Sequence, residues 1–147
     1  LVFLNTILEG TARIERVLTE AFRGSVTQLA TTLLTPVQQG GFLPYRTGNL
    51  QRSFLLSTVA FLPREAPRTE FIGMQDYAAL AETLEIGDTA YLSLRAAYAH
   101  RRNYGFVGMD SLGRQYNDEG NFFVERTALA WPGIVAEQTR LARARVG

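Results

Sequence analysis

The chain has 147 residues, a hydrophobic share of 46% and a formal net charge of +1, enough for one domain (residues 1–147) with a real core and no global charge drawing it to nucleic acid or membrane. Cysteine is absent, which excludes disulfides, zinc-thiolate sites and thiol catalysis and fits a reducing compartment. All 15 basic residues are Arg; the guanidinium fork suits fixed contacts with carboxylate or phosphate, although a GC-rich genome produces the same bias.

Residues 1–8, LVFLNTIL, are apolar and begin either a strand or the first turns of a helix. Without a basic leader or initiator Met they read as a folded beginning or a trimmed end, not a signal peptide. From residue 9, Ile14, Val17, Leu18, Ala21, Phe22, Val26, Leu29, Ala30, Leu33 and Leu34 recur at three- and four-residue steps. That spacing predicts an amphipathic helix with one buried face. Gly24-Ser25 is a point where it breaks or kinks, giving one bent helix or two, and Pro36 with Gly40-Gly41 ends it.

Residues 42–53, FLPYRTGNLQRS, form a turn. Pro44 stiffens the approach, Gly48 frees the backbone, and Thr47 or Asn49 caps a short helical turn through Leu50, Gln51 and Arg52. Leu50 and Phe54, four apart, both face inward. Residues 54–62, FLLSTVAFL, read as a strand buried on most of its surface. PREAPR is a polar turn, residues 71–74 a short return strand, residues 77–84 a short helix, and Ile86-Gly87-Asp88 a turn. Residues 89–99 alternate as a strand with one buried face. Residues 98–106, YAHRRNYGF, lie at its end, and residues 108–120, GMDSLGRQYNDEG, read as an exposed loop or a loosely paired hairpin. Asn121 is a candidate N-cap for a second amphipathic helix through Phe123, Trp131 and Leu141, which Pro132 kinks or splits. Arg140, Arg143 and Arg145 suit its C-terminal end. The elements sum to an α+β fold: an antiparallel sheet of about four strands packed by a long N-terminal and a C-terminal helix. Leu29, Leu33, Phe54, Leu94, Phe123 and Trp131 are the expected core.

No catalytic, cofactor-binding or metal-binding residues emerge. His100, the single histidine, lacks companions at metal-ligand spacing. There is no nucleophile elbow, phosphate loop or dinucleotide fingerprint. Glu82 with Glu85, and Asp118 with Glu119, read as solvated faces and not acid–base pairs. Arg101 and Arg102, flanked by Tyr98 and Tyr104, are either a nucleic-acid patch of stacking aromatics and phosphate-binding Arg or an edge strand blunted by charge.

The run Pro44-Tyr45-Arg46-Thr47-Gly48-Asn49-Leu50-Gln51-Arg52-Ser53 resembles the Pro-x-x-Thr-Gly-x-Leu-x-x-Ser signature of tail-completion, or tail-terminator, neck proteins of long-tailed bacteriophages and gene transfer agents. Tyr98-Ala99 and Tyr104-Gly105 resemble the family's Tyr-Ala…Glu-aromatic-Gly stretch, with Asn103 standing where Glu is common. The aromatic-led start of the last helix is a third likeness, in family order. The resemblance implies a structural virion protein, in the host cytoplasm during assembly. It would form a ring, usually a hexamer, that ends the tail tube and joins it to a head-side connector, with genomic DNA passing through the lumen without sequence-specific binding, and with no membrane partner. A head-closure protein and a small nucleic-acid-binding module are the competing readings. Assembly candidates are Thr47, Gly48, Leu50 and Arg52 in the signature; Tyr98, Arg101, Arg102 and Tyr104; and Met109, Leu112 and Tyr116, on a loop expected to be loose in the free subunit and held by a neighbour.

Overall fold

A computed structural model describes residues 2–147. The fold is α+β, in the order α1 (Val2–Leu34), α2 (Asn49–Arg52), β1 (Phe54–Ser57), α3 (Tyr77–Ala81), β2 (Tyr91–Leu94), α4 (Ala99–Tyr104), β3 (Gly105–Met109), β4 (Gln115–Glu119), α5 (Phe123–Leu129) and α6 (Trp131–Val146). The four strands form two separate antiparallel pairs. In one, Phe54 of β1 lies opposite Leu94 of β2; in the other, Gly105 of β3 lies opposite Glu119 of β4.

α1 is one continuous helix of 33 residues, about 50 Å long at 1.5 Å per residue. The apolar opening is helical, and Gly24-Ser25 does not break it. The small pair has a packing reason: α6 runs antiparallel along α1, the Gln138 side chain lies where a Gly24 Cβ would stand, and Arg145 reaches Glu20 at 3.7 Å. Val26, Ala30, Leu33 and Leu34 then meet Leu43, Leu50, Phe54, Leu56, Ala81, Leu84, Ala96 and Phe123 in the core.

Of the six expected core residues, Leu33, Phe54 and Phe123 are buried, while Leu29 and Leu94 are half-buried. Trp131 is not core: it is 37% exposed, because it opens α6 at a corner. Pro132 there splits α5 from α6 without loss, since a first-turn residue has no helical N–H partner to give up.

Three expected strands shrink or vanish. β1 stops at Ser57, whose hydroxyl accepts the Val59 N–H (3.2 Å) in a local turn. The return strand at residues 71–74 does not form, and Ile72 is 100% exposed. Side chains have taken the place of its ladder. The Leu56 N–H donates to Gln75 Oε1 (2.7 Å), the Phe71 N–H donates to Asn49 Oδ1 (2.8 Å), and the Phe71 carbonyl accepts from Arg52 Nε (2.8 Å). β2 covers only the middle of residues 89–99, and its burial does not follow one face: Ser93 is buried and Leu92 and Leu94 only half so. The segment 98–106 is not a strand end but the helix α4 leading into β3.

Asn121 does not cap α5. The preceding Phe122 sits in the left-handed region at φ 54, and the cap comes from α4. Buried Asn103 accepts the Val124 N–H on Oδ1 (3.0 Å), accepts the Phe122 N–H on its carbonyl (2.8 Å), and donates from Nδ2 to Glu125 (2.8 Å).

Of the two readings of residues 108–120, an exposed loop or a loosely paired hairpin, the hairpin is the one that forms. These residues complete β3 and β4 as a hairpin whose tip is held by Asp110. Asp110 Oδ1 accepts the Leu112 and Arg114 N–H groups, both at 2.9 Å, and Oδ2 accepts Arg114 Nε (2.6 Å) and the Tyr116 hydroxyl (3.2 Å). Desolvation works to raise this carboxyl, but the hydrogen bonds from Arg114 and Leu112 outweigh it and bring it down to about 2.

Two outcomes follow. Phe123→Ala should cost about 3–5 kcal/mol as a buried aromatic truncation, and Trp131→Ala about 1–2 kcal/mol for its partly buried surface, read by denaturant unfolding. For the hairpin, a depressed carboxylate stabilises the folded form above its ordinary value of 3.8 and loses that contribution as pH falls toward about 2. Exchange protection of the Arg114 amide should therefore hold near pH 5 and fall between about pH 4 and 2, and in Asp110→Asn it should be low at both.

Candidate functional site: an arginine-lined groove at the Thr-Gly turn

Every residue from Thr47 to Phe54 has a physical task. Gly48 stands at φ 81, and a Cβ there would meet Arg52 Nη1 at 2.7 Å and the Tyr45 hydroxyl at 2.8 Å, so both backbone and space require glycine. It is the N-cap of α2 and uses no side chain; the Asn49 N–H donates weakly to Thr47 Oγ1 at 3.4 Å. Leu50 and Phe54 enter the core. Gln51 Nε2 donates to the Leu34 carbonyl (2.9 Å), occupying one of the unpaired carbonyls at the end of α1. Buried Ser53 donates from Oγ to the Leu50 carbonyl (2.6 Å), and its own carbonyl accepts the Arg95 N–H (3.1 Å).

Asn49 and Arg52 fasten this turn to a chain segment about 20 residues away. Asn49 Nδ2 donates to the Thr69 carbonyl (3.0 Å) and the Tyr98 hydroxyl (3.2 Å) while its Oδ1 holds the Phe71 N–H. Arg52 spans from Phe71 to the Thr47 carbonyl (3.2 Å). Between the two segments lies an open groove of about 970 Å³, lined by the turn, by residues 68–72, and by Tyr98 and Arg102 of the α4 region. Four guanidinium groups line it, from Arg46, Arg52, Arg68 and Arg102, against one carboxylate, Glu70. Arg68 sits at φ 67, a conformation costing a non-glycine residue about 1–2 kcal/mol. A second groove shares Pro44, Tyr98 and Arg102 and continues past Arg101, Phe106 and Tyr116; there the Arg101 guanidinium stacks 3.9 Å over the Phe106 ring.

The fold thus brings Thr47, Gly48, Leu50, Arg52, Tyr98 and Arg102 to one groove, and Arg101 and Tyr116 to its neighbour. Leu50 is corrected as an interface candidate: it is 4% exposed, a core anchor beneath the groove. Tyr104 faces a different, apolar cleft with His100 and Phe123. Met109 and Leu112 stand exposed at the hairpin, and Tyr116 is half-buried against Asp110. The paired tyrosines and arginines at residues 98–104 are therefore not one patch, because a helix and not a strand carries them. Sequence reading missed Asn49, Arg46 and Arg68 as groove residues and Asn103 as a cap. Asn49 carried a signal, a side chain that both donates and accepts inside the signature; Arg46 and Arg68 carried none.

Asn103 also explains its place in the chain. Hydrogen bonding from the Tyr104 hydroxyl first, and from the Asn103 amide second, holds the Glu125 carboxyl below its ordinary value, and Glu125 raises the Tyr104 hydroxyl in return, which the Asn103 side chain works against. A glutamate at position 103 would set two carboxylates together.

Asn49→Ala should orphan the Phe71 N–H and cost about 1–3 kcal/mol, with faster amide exchange at Phe71 by nuclear magnetic resonance; unchanged exchange would show that the two segments are held otherwise. Comparison of the chain with family models, curated proteins and solved structures finds no match in any of the three.

Proposed function

We propose that the chain is an assembly subunit of the neck of a long-tailed phage or phage-like particle, of the tail-completion type. It would form a ring that ends the tail tube and joins it to the head-side connector, and would carry no catalysis. One observation supports this most: the Thr-Gly signature is a turn pinned to the core by Leu50 and Ser53 and to residues 69–71 by Asn49 and Arg52, with an open Arg-lined groove above it. Buried members fix the frame and exposed members present charge, as a surface that must meet another subunit in one register requires. Large apolar side chains also stand bare on the hairpin and α1, as expected of a chain with protein partners.

The second reading, a nucleic-acid-binding module, draws on the same four guanidiniums. In a ring whose lumen passes DNA, those contacts must be weak enough for a polyanion to slide, and independent of sequence. A tight module would show the opposite.

The test is the mass of the purified chain by light scattering, with electron microscopy of the same sample. Closed rings with an open lumen are expected, and a monomer at every concentration overturns the reading. DNA binding should vanish at physiological salt. At low salt, Arg46→Ala with Arg102→Ala should reduce the salt dependence by roughly two phosphate contacts. A sequence-specific complex at physiological salt would favour the module.

A further inference from the structure

We infer that residues 69–72 are an open strand edge onto which an extended, carboxylate-bearing segment of a partner protein adds. This names the chemistry of one partner and rests on the assembly reading. The run has no positive φ and ends where Gly73 turns at φ 72. In an extended run, successive residues turn their N–H and C=O groups to opposite edges. One edge is filled. The Thr69 carbonyl and the Phe71 N–H meet the Asn49 amide at 3.0 and 2.8 Å, and the Phe71 carbonyl accepts from Arg52 Nε at 2.8 Å. Asn49 and Arg52 thus stand where a neighbouring strand would. The other edge belongs to Glu70 and Ile72, whose N–H and carbonyl groups have no partner among the described residues.

The edge is held ready. Phe71 packs against the core and is fastened at both backbone groups, so a strand that adds here need not order the edge first. The two residues that own the free groups are bare: Ile72 is 100% exposed, and Glu70 is exposed beside it. The same run is one wall of the groove that Arg46, Arg52, Arg68 and Arg102 line with a single carboxylate, Glu70. None of these five side chains makes an ion pair among the described residues. An arriving segment therefore meets an excess of positive charge, which selects carboxylates. Ile72 accepts an aliphatic cross-strand neighbour.

A polypeptide answers this edge and a DNA strand does not. A strand added to a sheet edge presents a donor and an acceptor at each paired residue, which fills both groups of Glu70 and of Ile72. A DNA backbone offers phosphate and sugar oxygens, which only accept, so the two carbonyls would stay unpaired. The charge agrees. The adjoining groove sets Asp118 and Glu119 against Arg101 and Arg102, so the positive excess is confined to the first groove and does not run on as a track for a polyanion.

The experiment follows the amide resonances of the full chain as an end-blocked peptide of alternating Glu and Val, about eight residues long to match a strand, is added. A Gln-Val peptide of the same length and an oligothymidylate of equal charge are the comparisons. The expected result is a downfield shift and slower exchange at the Glu70 and Ile72 amides, with exchange at Phe71, already bonded, unchanged. The Gln-Val peptide should bind roughly tenfold more weakly, as should the Glu-Val peptide to Arg46→Ala/Arg68→Gly. That pair keeps the fold, because glycine suits the positive φ of position 68. Oligothymidylate acting on Glu70 and Ile72 as strongly as the Glu-Val peptide overturns the protein segment in favour of nucleic acid. Binding that leaves those two amides unmoved overturns the strand edge. No binding of the Glu-Val peptide overturns the inference, and rings formed by the same chain then leave the assembly reading standing. Binding by a chain that stays monomeric supports the edge and removes the ring. Slow exchange at Glu70 and Ile72 in the assembled chain alone gives the edge to a second copy and overturns the acidic partner.

Discussion

Buried backbone groups that no helix or sheet pairs need another partner, and the side chains that supply it shape this molecule. Two small two-stranded sheets leave most of the chain between α1 and α5 without a ladder, and unpaired buried N–H and C=O groups are costly. Asn49 and Arg52 satisfy residues 69–71, Gln75 satisfies Leu56 from both sides, Gln51 serves the end of α1, and Asn103 serves the start of α5. Arg95 does the same for Pro63 while pairing with Glu65. Each is a side chain with at least two hydrogen-bonding groups, so each can fasten two segments at once.

The same device separates frame from surface. Because the turn is held by short side-chain bonds and a few core anchors, the arginines beside it need not be folded inward. Arg46, Arg68, Arg101 and Arg102 stay exposed. On the opposite principle, α1 overruns the body that it packs, and its apolar row continues where no covering element follows. Charge at one place and bare apolar surface at another give the chain two chemically distinct contact surfaces, which suits the assembly role proposed for it.

How much was legible follows from the range of each interaction. The periodicity of α1 is local, so its helix and lower buried face could be read directly, as could the inward pair Leu50 and Phe54. What periodicity cannot report is whether a partner element lies opposite. Ile14 and Leu18 fit the row as well as Val26 and Leu33, yet only the latter pair is buried. Trp131 likewise fits the last helix by spacing but falls at a corner. Strand propensity failed for a related reason. Residues 59–62 and 71–74 are apolar enough for strands, but strand formation needs a neighbouring edge, and side chains distant in sequence hold the Leu62 N–H and both backbone groups of Phe71.

The sequence by itself determined the α+β class, the long first helix, the turn at Thr47-Gly48 and the absence of thiol chemistry, because these depend on residue type and near-neighbour spacing. Tertiary structure alone decided that Arg46, Arg52, Arg68 and Arg102 share one groove, that Asn103 caps a helix starting 20 residues later, and that half of an evenly patterned helix is left bare. Those outcomes depend on which distant segments meet, and a hydrogen bond between Asn49 and Phe71, 22 residues apart, leaves no periodic trace in the chain that makes it.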